Sequence, residues 1–119
     1  MRHYISNSQS KNNSVFMDRV ARIMEFLKAN PGDNFLEHAL ALEYIKAGND
    51  AAARSVFETI LQRDPGYIGS YYHLGKLLER TGETALAVDW YKKGMAAAST
   101  AADHHALGEL RAAYDDLVD

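Results

Sequence analysis

Apolar residues recur at helical spacing from Met17 almost to the end of the chain. Val20, Ile23, Met24 and Leu27 fall at i, i+3, i+4 and i+7, which predicts an amphipathic helix over 18–29 with Asp18 near its start. Asn30-Pro31-Gly32 ends it. Asn34 with Glu37 three residues later fits a capping box opening a second helix, which Phe35, Leu36, Ala39, Leu40, Leu42 and Ile45 carry to Gly48. A third helix runs through Ala53, Val56, Phe57, Ile60 and Leu61 and stops at Asp64-Pro65-Gly66. Tyr71, Leu74, Leu77 and Leu78 mark a fourth, ended by Thr81-Gly82-Glu83, and Ala85 to Met95 a fifth. A softer stretch over 96–102 leads to a sixth helix with Leu107, Leu110, Tyr114 and Leu117. No run alternates over strand length, so the fold class is all-α, built of helical hairpins.

The punctuation is itself periodic. Pro31 and Pro65 lie 34 residues apart, and so do Gly48 and Gly82. Leu40 and Leu74, Ala41 and Gly75, Ala53 and Ala87, and Phe57 and Tyr91 keep the same interval. A fixed period of this length marks one supersecondary unit repeated, each unit burying its apolar face on the next. Small residues at 41, 53, 75 and 87 allow paired helices to approach closely, with Ala41 expected to face Ala53 and Gly75 to face Ala87. Phe57 and Tyr91 are expected to fill the space between hairpins.

These features together resemble the tetratricopeptide repeat family. Asn34 to about Gly66 carries Leu40-Ala41, Tyr44, Gly48, Ala53, Phe57 and Pro65 at the family's signature places. The second unit carries Tyr71, Leu74-Gly75, Leu78, Gly82, Ala87 and Tyr91, with Ser99 where a closing proline would stand. The resemblance implies a right-handed α-solenoid of antiparallel hairpins. Two full units are expected at about 34–67 and 68–100, with an N-terminal half-unit over 18–30 and a capping helix over about 101–117. Residues 1–16 read as a disordered leader. Val20, Phe26 and Leu27 on the first helix read as core residues, and any of them left uncovered would motivate self-association through that end.

The resemblance also implies where a partner would dock, on the concave side lined by the first helix of each unit. Mapped onto this chain, the groove residues are His38, Leu42, Ile45 and Lys46 from the first unit and Tyr72, Lys76, Glu79 and Arg80 from the second. His105 and Glu109 are added by the sixth helix. Lys46, Lys76 and Arg80 would form a basic floor suited to an acidic peptide. The Asn, Lys and Arg set of the family's carboxylate-binding version is not reproduced, since Leu42 and Lys76 stand at places that version fills with amides.

Composition narrows the function classes. The 119 residues are 47% hydrophobic and 24% charged, a profile that folds as one core. A net charge of −3 supplies no basic excess for nucleic acid or an anionic membrane, and no apolar run is long enough to span a bilayer. The absence of cysteine removes thiolate metal sites, disulfides and thiol nucleophiles and suits a cytoplasmic location.

No catalytic constellation stands out. His104 and His105 are adjacent on a helix and project about 100° apart, and His38 and His73 have no partner at i+4. Asp115-Asp116 reads as a solvated tail, and there is no glycine-rich phosphate loop or nucleophile elbow. The sequence therefore predicts a non-enzymatic interaction module with no metal or cofactor that binds a peptide or protein in its groove. It would be a monomer or a weak homo-oligomer. The alternative is a self-assembling module joined through its repeat ends or groove.

Overall fold

The computed structural model describes the backbone from Asn7 to Val118 and the side chains from Asp18 onward. Among the described residues are six helices and no strand: α1 (Asn7–Ala29), α2 (Asn34–Lys46), α3 (Asp50–Arg63), α4 (Gly69–Arg80), α5 (Thr84–Thr100) and α6 (His104–Val118). Helices α2 with α3 and α4 with α5 pack as hairpins, and α1 and α6 lie at the two ends of the stack. The protein is an all-α solenoid.

The turns follow from local backbone chemistry. Gly32, Gly48 and Gly82 adopt positive φ, the left-handed conformation that a helix exit requires and that side chains disfavour. Ala102 takes the same conformation, with φ 56°, at the turn into α6. Asp33, Asn49 and Asp103 each accept a hydrogen bond from the backbone N–H three residues on, at Leu36, Ala52 and Ala106, and so cap the helices they precede.

Three boundaries differ from the sequence expectation. The cap of α2 is Asp33 rather than Asn34, whose amide instead donates to Asp64 at 2.8 Å and so ties α2 to the end of α3. Helix α5 continues through the alanine-rich stretch to Thr100, because alanine is the strongest helix former and Ala98 is fully buried there. Helix α1 begins at Asn7, not near Asp18, since residues 7–17 contain no proline or glycine to stop the helix extending backwards. Part of the expected leader is thus helical, while residues 1–6 lie outside the described residues.

The core follows the repeat. Ala41, Ala53, Phe57, Ile60, Leu74, Leu78, Ala87 and Tyr91 are all fully enclosed. Gly75 faces the Tyr91 ring, so closely that a Cβ at position 75 would overlap the ring carbons. Gly94 meets Tyr71 in the same way, with a Cβ there falling 2.7 Å from the Tyr71 Cβ. The Tyr91 hydroxyl donates to Glu79, and the Tyr71 hydroxyl donates to the Pro65 carbonyl at 2.5 Å, so neither buried phenol is unsatisfied. Phe57 does bridge hairpins, with its ring parallel to that of His73 on α4 at 6.2 Å. Bidentate Arg80–Asp50 contacts and the Arg54–Glu83 pair tie α3 to the α4–α5 hairpin at the solvent edge.

Gly75 and Gly108 both follow a leucine in a helix, yet Gly75 is buried against Tyr91 while Gly108 is exposed and a Cβ there would meet nothing within 4 Å. Gly75→Ala should therefore lose about 1–3 kcal/mol by overpacking against Tyr91. Gly108→Ala should gain up to about 1 kcal/mol from helix propensity alone. Urea unfolding of the two variants, followed by circular dichroism at low protein concentration, checks the opposite signs.

Candidate functional site: the hollow between alpha2, alpha4 and alpha6

The first helices of successive units lie side by side and leave a hollow of about 350 Å³ lined by His38, Ile68, Tyr72, His73, Ala106 and Glu109, among others. A shallower one of about 230 Å³ continues along α4 and α6 between Tyr72, Lys76, Glu109 and Asp116. The α4 backbone presents Tyr72 and Lys76 one turn apart on this side, while Tyr71, Leu74 and Leu78 turn inward.

The floor is an aromatic and imidazole cluster. His38 Nδ1 lies 2.9 Å from the hydroxyl of Ser70, which is fully buried. The His38 ring centroid is 5.3 Å from that of His73 and 5.5 Å from that of Phe57, both edge-on. Tyr72 stands perpendicular to His73 at 5.9 Å. Burial, reinforced by the neighbouring His73, pulls the His38 pKa down to about 4, and burial lowers His73 as well, with Glu109 acting in the opposite direction. Both imidazoles are neutral at pH 7.

Of the residues expected in the groove, His38, Tyr72, Lys76 and Glu109 line these hollows. Leu42 and Ile45 are half-buried and pack against the core, as Tyr72 also does. Glu79 is engaged with Tyr91 and lies 3.6 Å from Lys76, and His105 is solvent-exposed beside Glu109. The expected basic floor does not form. Lys46 lies 3.3 Å from Glu43, a buried carboxylate that also faces Arg19 of α1, while Arg80 is held by Asp50 at 2.8 Å. Lys76 leans over the Tyr72 ring, 5.6 Å from its centroid, and Glu109 and Asp116 give the open end acidic character.

From sequence His73 is weighed only as a metal ligand, and nothing marks Ser70. His73 stands one residue beyond Tyr72, the 34-residue equivalent of His38, and that single step places it against His38 across the two units. Among the described residues no group of three or more His, Asp or Glu side chains is arranged to hold a metal ion, and no helix is long and apolar enough to cross a membrane.

Comparison with known proteins decides the family. The family model described as a tetratricopeptide repeat matches residues 68–100. The crystal structure of a tetratricopeptide repeat domain protein from Salinibacter ruber is 40% identical, covers 71% of this chain and 94% of its own, and superposes with a TM-score of 0.69. This chain belongs to the tetratricopeptide repeat family. A solution structure of a tetratricopeptide repeat domain protein from the same organism is also 40% identical, with a TM-score of 0.70 over 73% of this chain and 88% of that one. A Bordetella parapertussis protein is 26% identical, with a TM-score of 0.71 over 82% and 85%. No curated protein matches the chain. Tetratricopeptide repeats are in general protein–protein interaction modules and non-enzymatic scaffolds.

The histidine cluster gives the fold a pH dependence whose sign is fixed. His38 titrates near 6.5 when unfolded and about 4 when folded, so between those values the unfolded chain binds more protons. Stability is full above about pH 6.5 and falls as pH drops toward 4. With allowance for partial solvent screening, the His38 share is about 1–2 kcal/mol. Comparing denaturant midpoints of wild type and His38→Gln at pH 7 and pH 5 should show a smaller drop in the variant.

Proposed function

We propose that this tetratricopeptide repeat protein is a non-enzymatic adaptor that binds a peptide segment of a partner protein in the hollow between α2, α4 and α6. The observation that carries the reading is an open, half-apolar recess floored by Tyr72 and the neutral His38–His73 pair, with Glu109 and Asp116 at its open end. Such a recess takes one large side chain as an anchor and uses a few polar groups to orient it. The acidic rim favours a segment with a basic or aromatic anchor over the acidic peptide suggested by the sequence. The cations that motivated the acidic partner are already paired with carboxylates of this chain.

Selection of binders from a random peptide library, followed by titration of the tightest, tests this. Tyr72→Ala and Glu109→Lys should each weaken binding about tenfold, the loss expected for an anchoring residue. Lys92→Glu, on the exposed side of α5, should leave binding unchanged. Binders indifferent to both groove substitutions would contradict the assignment.

A further inference from the structure

The two hollows beside α4 share Tyr72 and Glu109 as a common wall, so one bound segment can reach into both. Their linings differ. Ile68, Ala106 and the neutral rings of His38 and His73 floor the larger hollow, an uncharged surface that suits a large apolar side chain. The shallower one lies between Lys76 of α4 and Glu109, Ala112 and Asp116 of α6.

Charges around the shallower hollow are unevenly matched. The Lys76 Nζ lies 3.6 Å from Glu79 and leans over Tyr72, so its charge is directed at α4 itself. Glu43 of α2 is likewise matched by Lys46 and Arg19. The α6 carboxylates have no such cation. Glu109 and Asp116 stand two turns apart on one stripe of the helix, and Arg111 lies about 140° or more around the axis from both, on the side of Asp115. Glu109 is 3.7 Å from His105, an attraction present only when that imidazole is protonated, and Asp116 makes no ion pair among the described residues. Two carboxylates left unneutralised at the wall of a hollow favour a positively charged group there. An acidic group in the same seat would meet both of them, against one lysine that is already paired.

The separation of the two seats fixes the spacing of a ligand's side chains. Along α6 the lining of the larger hollow is centred near Gly108 and that of the shallower one near Ala112, about four residues on, which is about 6 Å of helix. In an extended chain, residues i and i+2 project from the same side about 6.6 Å apart, while adjacent residues project from opposite sides. On the basis of the peptide-binding function proposed above, we infer that the partner segment is extended and carries a large apolar or aromatic residue and a lysine or arginine two positions apart. The first sits against His38, Tyr72 and His73, and the cation sits between Glu109 and Asp116.

Peptides selected from a random library on the full chain test this through their common motif. Binders that Tyr72→Ala weakens should share an apolar or aromatic residue and a cation at i and i+2, in either order. Replacing that cation by glutamine should weaken binding to wild type about fivefold, the upper range for an exposed charge pair. The same replacement should matter little to a Glu109→Gln, Asp116→Asn double variant, whose two positions are exposed and whose fold is checked by helical circular dichroism. Lys76→Gln, which keeps most of the side-chain stem, should strengthen the cationic peptide about twofold by removing a like charge. A second selection on a Glu109→Lys, Asp116→Lys variant should return an acidic residue in place of the cation and keep the apolar residue two positions away. Tyr72-dependent binders that lack a cation, carry an acidic residue in its place or space the pair at i and i+4 overturn the inference and leave the adaptor function standing. Binders that are all indifferent to Tyr72→Ala overturn that function and the inference with it.

Discussion

The close contact between α4 and α5 is the constraint from which the rest of the architecture follows. Gly75 presents bare backbone to the Tyr91 ring, and the Tyr91 hydroxyl is anchored on Glu79 one turn further along α4. One aromatic side chain thereby sets the distance, the register and the polar satisfaction of the hairpin. The complementary contact of Gly94 with Tyr71 fixes the other end of the same pair, and the Tyr71 hydroxyl holds the loop at Pro65. Because packed interiors tolerate little change of volume, helices spaced this way leave few orientations for the neighbours on either side.

The hollow is a consequence of that spacing. With α4 turned so that Gly75 and Leu78 face α5, Tyr72, His73 and Lys76 necessarily face the side shared with α2 and α6. His73 then meets His38 and stacks with Phe57, so the residue that joins two hairpins also forms the floor of the recess. The binding surface and the core are therefore not independent. Substitutions that loosen the stack will also reshape the recess, and the low pKa of His38 reports how dry that junction is.

The parts of this arrangement readable in the sequence were those encoded by local chemistry. Glycines in left-handed turns, prolines between units and small residues at close contacts recur every 34 residues, and the family match and the helices agree with them. Arg80 and Asn34 are taken up by partners about thirty residues away, whereas Lys46 and Lys76 pair locally with Glu43 and Glu79. Nothing near Arg80 indicates that Asp50 will hold it, nor near Asn34 that Asp64 will, so a basic groove and a capping box were reasonable local readings. The early start of α1 and the late end of α5 have a different origin: those segments carry no breaking residue. Gly108 shows a further limit. It follows a leucine as Gly75 does, but α6 buries Leu110 and Ala113 and so leaves Gly108 on its exposed side.

If the α4–α5 contact governs the fold, it should be the last part to open. Native-state hydrogen exchange measures this residue by residue. The backbone amides of Leu74 to Leu78 and Ala87 to Tyr91 are expected to exchange only through global unfolding, while those of α1 exchange through cheaper local opening. Protection in α1 equal to that of α4 and α5, or exchange of the Gly75 and Tyr91 amides ahead of the flanking helices, would contradict this account.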